Sequence, residues 1–172
     1  MSRKVLIVDG YNVIREPMGP YAALFETDQD AARTRLVSDV AGYAHGEWSA
    51  TIVFDAGANP YADGVPEEVV GITVVFSAYG STADTVVERL AAEARDSGGH
   101  VTVVSSDAQT QWSVMGSGVS RMSARAFIDE IVGEDALRSE SNPSGSTKST
   151  LSERLDSATL DELTRWSRGY LR

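Results

Sequence analysis

A short apolar run near the N-terminus, Val5-Leu6-Ile7-Val8, ends abruptly in Asp9 and Gly10. Consecutive aliphatic residues between charged and turn-forming neighbours are typical of a strand that is covered on both faces, and such strands lie at the centre of parallel α/β sheets. Because ligands of these sheets bind beyond the carboxyl ends of the strands, the run predicts that Asp9 lies at a functional site.

Similar runs recur along the chain and predict four further strands: Thr51–Asp55, Ile72–Phe76, Val101–Ser105 and Val119–Ser123. Helical spacing of apolar residues predicts helices between them, from Asp28 or Asp30 to Ala44, from Ala83 to Asp96, from Gln109 to Met115 and from Ala124 to Val132. The segments Arg15–Asp28 and Ala56–Gly71 are predicted as loops. Strands that alternate with helices predict a three-layer α/β fold, with a mainly parallel five-stranded sheet and helices on both faces.

The chain divides into two unequal parts. Its 172 residues suffice for one domain, which we expect to span residues 1–137. Residues 138–172 begin with a stretch rich in Ser, Thr, Gly and Pro, Ser139–Thr150, that predicts a flexible linker. A short amphipathic helix with Leu160, Leu163 and Trp166 on one side is predicted to follow.

Composition excludes several classes of protein. The absence of cysteine rules out disulfides, thiolate metal sites and a cysteine nucleophile. No apolar run is long enough to span a membrane and no signal-peptide core follows Met1, so we expect a cytoplasmic protein without membrane association. The net charge is −10, and residues 1–137 hold 9 Lys and Arg against 20 Asp and Glu, which argues against non-specific coating of nucleic acid.

Acidic residues follow several of the predicted strands, where a parallel sheet would bring them to one edge. They are Asp9, Asp55, Asp107, and Asp84 with Glu88 at the start of a helix. Two carboxylates about 5 Å apart repel by roughly 3 kcal/mol at an effective dielectric near 20, so such a cluster either raises its own pKa values or binds cations. Oxygen ligands of this kind suit Mg²⁺ or Mn²⁺, and metal-assisted phosphodiester cleavage is the chemistry that uses them.

Each of these acids also has a purely structural interpretation. Asp107 is placed to cap a helix, Asp84 suits the first turn of one, and Asp55 suits a turn after a strand. However, Asp84 and Glu88 form a like-charge pair four residues apart, which favours ligand binding over helix stabilisation. Asn12 is open to three roles: orienting Asp9, donating to a phosphate, or satisfying loop backbone.

Five segments together resemble the YacP-like NYN-domain family, a branch of the PIN-like ribonucleases. These segments are VDGYNVI (8–14), VFDA (53–56), TVVFSAYGSTADTVVERL (73–90), VVSSD (103–107) and SRMSARAFIDEI (120–131), and their order and spacing cover most of residues 3–135. It implies a PIN-like sheet in the order 3-2-1-4-5, an Mg²⁺ or Mn²⁺ site and endoribonuclease activity. At least one family member cleaves messenger RNA on the ribosome, which adds the ribosome to RNA as an expected partner.

The resemblance also implies roles for individual residues. Metal-site residues are expected at Asp9, Asp55, Asp84 and Asp107, with Glu88 second in rank; Asp9, Asp84, Asp107 and Asn12 are the expected catalytic residues. Two departures from the family pattern stand out: Ser81 replaces a glutamate, and Ala56–Gly71 lacks the basic residues that relatives often carry.

RNA contacts are expected from arginines and from aromatic rings. We predict phosphate contacts at Arg15, Arg121 and Arg125, with Arg33 and Arg35 as further candidates, and base stacking at Tyr11, Tyr21 or Phe25.

Three hypotheses about function follow. The leading one is a metal-dependent endoribonuclease that acts on single-stranded RNA. A non-catalytic module of the same fold that binds RNA or the ribosome is the alternative, motivated by the missing basic loop. A nuclease that acts on DNA is the third.

Overall fold

The computed structural model describes residues 4–57, 59–107, 118–140 and 157–169. The strands are β1 (Lys4–Asp9), β2 (Trp48–Phe54), β3 (Glu67–Val69), β4 (Ile72–Phe76), β5 (His100–Val104) and β6 (Val119–Met122). The helices are α1 (Gly10–Ile14), α2 (Ala22–Thr27), α3 (Gln29–Ala44), α4 (Ala83–Asp96), α5 (Ala124–Glu140) and α6 (Ser157–Gly169).

The strands form one sheet in the order β3-β4-β2-β1-β5-β6, and every neighbouring pair is parallel except β3 with β4. The order predicted for the five strands is confirmed, but the predicted number of strands is wrong, because β3 adds a sixth at the edge. β3 lies in a segment predicted as a loop. It is only three residues long and carries two exposed glutamates, so it lacks the apolar run that reveals the other strands.

Both faces of the sheet are covered, which explains the continuous apolar character of its strands. Leu6 and Val8 of β1 pack into a core with α1, α3 and α5 on one face, whereas Ile7 packs into a second core against α4 on the other. The strands β2, β4 and β5 divide their side chains between the same two cores. The predicted three-layer α/β architecture is therefore confirmed.

The helix boundaries show where local sequence signals were sufficient to predict a helix and where they were not. The helix α3 begins where predicted, since the Asp28 side chain caps it by accepting a hydrogen bond from the Ala31 N–H at 2.9 Å. The prediction that Arg15–Asp28 is a loop was wrong, because α2 forms within it, and α1 directly after β1 was not predicted. These helices are too short to display an apolar period. The helix α5 also continues past Val132 to Glu140.

The C-terminal helix α6 packs on the rest of the described chain. Leu163 is buried in the core formed by α3 and the sheet, and the Trp166 ring lies 6.3 Å from that of Phe76. Glu162 accepts a hydrogen bond at 2.9 Å from the N–H of Val70, in the turn that joins β3 to β4. The helix predicted over Gln109–Met115 and residues 141–150 of the predicted linker lie outside the described residues. Within the described ranges, no helix is long and apolar enough to cross a membrane.

Candidate active site

Four aspartates line one open cleft of about 740 Å³ at the carboxyl edge of the parallel strands. Asp9 ends β1, Asp55 follows β2, Asp84 lies in the first turn of α4 and Asp107 follows β5. The structure thus brings together four predicted site residues that are up to 98 positions apart in the chain. They meet because β2, β1 and β5 are adjacent and parallel, so that their carboxyl ends share one edge.

Asp9 is the most buried of the four, with 9 % of its surface exposed. It is the residue at which β1 gives way to α1, and its Oδ1 accepts a hydrogen bond from the Asn12 N–H at 3.1 Å. Burial raises the pKa of Asp9 to about 6, against the lowering effect of that hydrogen bond. The charges of Asp84, Asp107 and Asp55 contribute to this rise, so the four carboxylates act on one another electrostatically.

Glycine is required after Asp9 because α1 lies directly on β2. A Cβ atom at Gly10 would stand 2.3 Å from Cε1 of Phe54 and 3.0 Å from Cγ2 of Ile52. Phe54 is fully buried and has little room to withdraw, since its ring packs against those of Tyr11 and Phe76. Asp9 therefore supplies a carboxylate to the cleft, and Gly10 allows the close approach of α1 to β2 that positions this carboxylate.

Asp55 connects the end of β2 to the start of α4. Its Oδ1 accepts a hydrogen bond from the Gly57 N–H at 2.6 Å, and its Oδ2 accepts one from the Ala83 N–H at 3.2 Å. The second bond satisfies a free N–H in the first turn of α4, where the helix dipole favours a negative charge. Asp55 thereby holds Asp84 beside it, and Thr82 caps the same helix by accepting from the Thr85 N–H.

Asn12 links the ends of β1 and β5. Its Oδ1 accepts a hydrogen bond from the Ser106 N–H at 2.7 Å, next to Asp107. The Ser106 hydroxyl in turn accepts from the Ala124 N–H at 2.9 Å and so connects this edge to α5. Asn12 therefore satisfies backbone and positions the loop that carries Asp107. Its Nδ2 has no hydrogen-bond partner among the described residues and is available in the cleft.

Two fully buried serines that sequence reasoning missed hold the loops of the site. The Ser77 Oγ accepts a hydrogen bond from the Ala56 N–H at 3.0 Å, and the Ser105 Oγ accepts from the Asp107 N–H at 3.1 Å. Each serine directly follows a strand, β4 or β5, and fixes a loop that carries an aspartate. The sequence signal for these serines was their position directly after an apolar run, which is also the position of Asp9 and Asp55.

A cationic and aromatic wall borders the carboxylates. The Arg15 guanidinium lies over the rings of Tyr11 and Phe25, at 5.3 and 5.6 Å from their centroids, and all three residues line the cleft. The Tyr11 hydroxyl accepts a hydrogen bond from Arg33 at 2.9 Å. Cation–π contact keeps the charge of Arg15 beside the cleft. Tyr21, a predicted stacking residue, is fully buried and donates its hydroxyl proton to Asp39, so this prediction was wrong.

Several predicted site residues are not among those that line the cleft: Glu88, Arg121, Arg125 and the further candidates Arg33 and Arg35. Glu88 is exposed on α4 one turn beyond Asp84. Arg121 is exposed on β6, and Arg125 is exposed on α5, where it forms an ion pair with Asp129 at 3.3 Å.

The donor set of the cleft is chemically suited to a hard divalent cation, because it consists of carboxylate and amide oxygens. Asp9 is buried near three further carboxylates, and a bound cation would offset the electrostatic repulsion among them. In the side-chain positions observed, however, the described residues contain no group of three acidic or histidine side chains close enough to hold an ion. Asp55 directs both oxygens to backbone N–H groups.

Comparisons with known proteins agree with this fold. The model of the YacP-like NYN domain matches residues 6–168, which extends beyond the range 3–135 found from motifs and includes most of the C-terminal segment. The protein YacP of Bacillus subtilis, described as uncharacterized, is 29% identical over 97% of this chain and 98% of its own length.

Two crystal structures of Rae1 (YacP) from Bacillus subtilis share the fold. One superposes with a TM-score of 0.62 and 29% identity over 98% of this chain and 97% of the other. The other, of a mutant, superposes with a TM-score of 0.68 and 25% identity over 95% and 99% of the two chains. On the match to its family model over nearly its whole length, the chain belongs to the YacP-like NYN-domain family.

Proposed function

We propose that this protein is a divalent-metal-dependent endoribonuclease that hydrolyses phosphodiester bonds in single-stranded RNA. The observation that carries the proposal is the convergence of Asp9, Asp55, Asp84 and Asp107 from separate elements on one open cleft. Membership of the NYN-domain family supports an RNA-related nuclease function in general terms. A buried carboxylate among three others gains no stability from its charge, so its placement calls for a functional explanation.

Asp9, Asp84 and Asp107 are the proposed catalytic carboxylates, and with Asp55 they would hold Mg²⁺ or Mn²⁺. Such an ion supplies positive charge that lowers the pKa of an attacking water and stabilises the leaving oxygen. Asp55 holds the start of α4, and with it Asp84, at the cleft. Glu88 remains a second-rank prediction because it is exposed beyond the cleft.

Asn12 and Arg15 are the proposed contacts to the RNA backbone within the cleft. The Asn12 Nδ2 is free to donate to a phosphate oxygen while its Oδ1 holds the Ser106 N–H. Arg15 offers a guanidinium with no carboxylate partner among the described residues, held by the rings of Tyr11 and Phe25. A planar donor group of this type suits phosphate recognition. Arg121 and Arg125 remain predicted contacts for RNA that extends beyond the cleft, and the ribosome remains a predicted partner.

Purified full-length protein, incubated with Mn²⁺ or Mg²⁺ and matched single-stranded RNA and DNA, tests the proposal. We expect cleavage of RNA that EDTA abolishes and that Asp9→Asn and Asp84→Asn each reduce by at least about 100-fold, the scale on which a misplaced catalytic group acts. Asp96→Asn is the matched control, because Asp96 is exposed at the far end of α4. Cleavage that persists unchanged in both site variants would overturn the mechanism, and preferential cleavage of DNA would favour the third hypothesis.

A non-catalytic RNA-binding module is the alternative, favoured by the lack of a preformed three-ligand group among the described side chains. Titration of Mn²⁺ into the apo protein separates the two. A nuclease site should bind Mn²⁺ saturably and lose that binding in Asp9→Asn, whereas a binding module should bind RNA without either effect.

A further inference from the structure

A buried arginine lies directly behind the cationic wall of the cleft. Arg33 of α3 is 8 % exposed, and Arg33 and Asp9 are the two charged residues that are buried in the described part of the chain. Arg33 does not line the cleft, and its burial argues against the direct phosphate contact for which it was a candidate. Because a buried cation is costly unless it is paired, its hydrogen-bond partners indicate what it does there.

The guanidinium of Arg33 bonds in two directions. Its Nη2 donates to the carboxylate of Asp30, three residues earlier on α3, which balances the charge. Its Nη1 donates to the hydroxyl of Tyr11 on α1 at 2.9 Å. The ion pair alone would serve α3, whereas the second bond crosses to the short helix that follows Asp9. Arg33 therefore connects α3 to a ring that borders the cleft.

The side chain of Tyr11 is held at its ring and at its hydroxyl. The ring makes edge contacts with Phe54 and Phe25, at 5.2 and 5.8 Å between centroids. Ring contacts of this kind allow a wide range of geometries, whereas a hydrogen bond from a charged donor restricts both distance and angle. The bond from Arg33 therefore fixes the orientation that the ring contacts leave open.

Arg15 lies on the ring that Arg33 orients. It ends α1 four residues after Tyr11, and its N–H donates to the Tyr11 carbonyl at 3.0 Å, so the two side chains share one face of the helix. The Arg15 side chain is exposed, and its guanidinium lies over the rings of Tyr11 and Phe25. With no carboxylate paired to it in the described ranges, these ring contacts keep its charge beside the cleft.

We propose that Arg33 is a positioning residue for RNA binding. Through the Tyr11 hydroxyl it orients the ring on which Arg15 lies, and so holds the Arg15 guanidinium at the cleft, ready for a substrate phosphate. Arg33 itself contacts neither RNA nor metal. This inference rests on the proposed function, since it acts through the cation that we assign to the RNA backbone. Loss of Arg33 should therefore weaken RNA binding only as far as Arg15 contributes to it.

A double-mutant cycle between Arg33 and Arg15 tests the proposal. Fluorescence anisotropy of the full chain with a labelled oligouridylate of about 12 nucleotides, in EDTA to prevent cleavage, measures affinity at several salt concentrations. We expect Arg33→Met to lower affinity by about 3- to 10-fold in the wild-type background and by less than about 1.5-fold in Arg15→Gln. A residue that contacted phosphate itself would add its own loss, with a further change of about 0.7 in the slope of log affinity against log salt.

Two further variants separate positioning from a general loss of stability. Tyr11→Phe removes the same hydrogen bond but keeps the ring, so it should reproduce the loss and its dependence on Arg15, even if Arg33→Met folds poorly. Val40→Ala, at a fully buried position on the same helix, is the matched control and should lower the Tm without changing RNA affinity below the unfolding transition. In Mn²⁺-dependent cleavage, Arg33→Met should raise KM and leave kcat within about 2-fold.

Equal losses from Arg33→Met with and without Arg15 would overturn the proposal, as would wild-type affinity in both Arg33→Met and Tyr11→Phe. A loss in Val40→Ala as large as that in Arg33→Met would also overturn it, because destabilisation would then explain the effect. If the wild-type protein did not bind the RNA, the proposal and the proposed function would both be wrong. A loss that depends on Arg15, without any Mn²⁺-dependent cleavage, would support the role of Arg33 and contradict the nuclease function alone.

Discussion

The Oδ1 of Asn12 accepts a hydrogen bond from the backbone N–H of Ser106 at 2.7 Å, although the two residues are 94 positions apart. This bond joins the carboxyl ends of β1 and β5 and sets the start of the loop that bears Asp107. We expect Asn12→Ala to lower RNA cleavage by about 10- to 100-fold through misplacement of that loop. The free energy of unfolding should fall by only about 0.5–1.5 kcal/mol, as for loss of one hydrogen bond.

Steady-state cleavage rates and urea denaturation check this expectation together. Ser106→Ala is the matched control, because it removes the hydroxyl bond to Ala124 but keeps the N–H that Asn12 accepts. If Ser106→Ala reduced activity as much as Asn12→Ala, the bond between Asn12 and the Ser106 N–H would have no special role in positioning the loop.

Position 10 has no room for a side chain. Gly10→Ala forces a methyl group against the Phe54 ring, and we expect it to destabilise the protein by about 1–3 kcal/mol through overpacking. Gly133→Ala is the control, since a Cβ there meets nothing within 4 Å on α5 and should stabilise the protein by about 0.4–1 kcal/mol. Urea denaturation of both variants measures the difference, and an equal response at the two glycines would contradict the packing argument.

The raised pKa of Asp9 predicts how stability changes with pH in EDTA. The native state holds this proton up to about pH 6, whereas the unfolded chain releases it near 3.8. Stability therefore falls as pH rises between these values, by about 3 kcal/mol for a shift of this size. Asp9→Asn, which keeps the capping oxygen, should be more stable than wild type by about that amount at pH 7.5 and equal to it near pH 4.

Thermal or urea unfolding of both proteins across this range provides the measurement. Wild-type and variant curves separated by a constant amount at every pH would show that Asp9 does not titrate as its surroundings predict.

Arg15 is the cation we expect to contact RNA phosphate. Arg15→Gln should weaken binding to single-stranded RNA and reduce the slope of log affinity against log salt by about 0.7, the value for one phosphate contact on a single strand. Arg89→Gln, an exposed residue on α4 that pairs with Glu93, should leave both quantities unchanged. Anisotropy titrations at several salt concentrations measure the affinity and its slope against log salt. An unchanged slope for Arg15→Gln would exclude a phosphate contact.

The docking of α6 predicts that the C-terminal helix contributes to global stability. Leu163 is 2 % exposed, and Leu163→Ala should lower the free energy of unfolding by about 2–5 kcal/mol. Thr164→Ala, at an exposed position on the same helix, should change it by no more than about 0.5 kcal/mol. A single unfolding transition, shifted only by the leucine variant, is the expected result. Equal curves for the two variants would mean that α6 does not dock in solution.

Much of the fold followed from local pattern. The runs ending at Asp9, Asp55, Phe76 and Ser105 identified the main strands, because a strand buried on both faces must be apolar throughout. β3 and α2 were not predicted because they are short, and because β3 is exposed at the edge of the sheet. Its turn also places Val70 at a positive φ of 45°, a conformation that a β-branched residue rarely adopts and that sequence would not suggest.

The sequence by itself determined which residues are candidates for the proposed chemistry: aspartates at Asp9, Asp55, Asp84 and Asp107, with Asn12 beside them and no cysteine to compete. Strand-end position is a local property, so it can be read along the chain. Only the tertiary structure decided how these residues are held, through the bonds of Asn12 to Ser106 and of Asp55 to Ala83, and which arginine borders the cleft. These contacts join distant segments, and their partners are set by the order of strands in the sheet and by packing between layers.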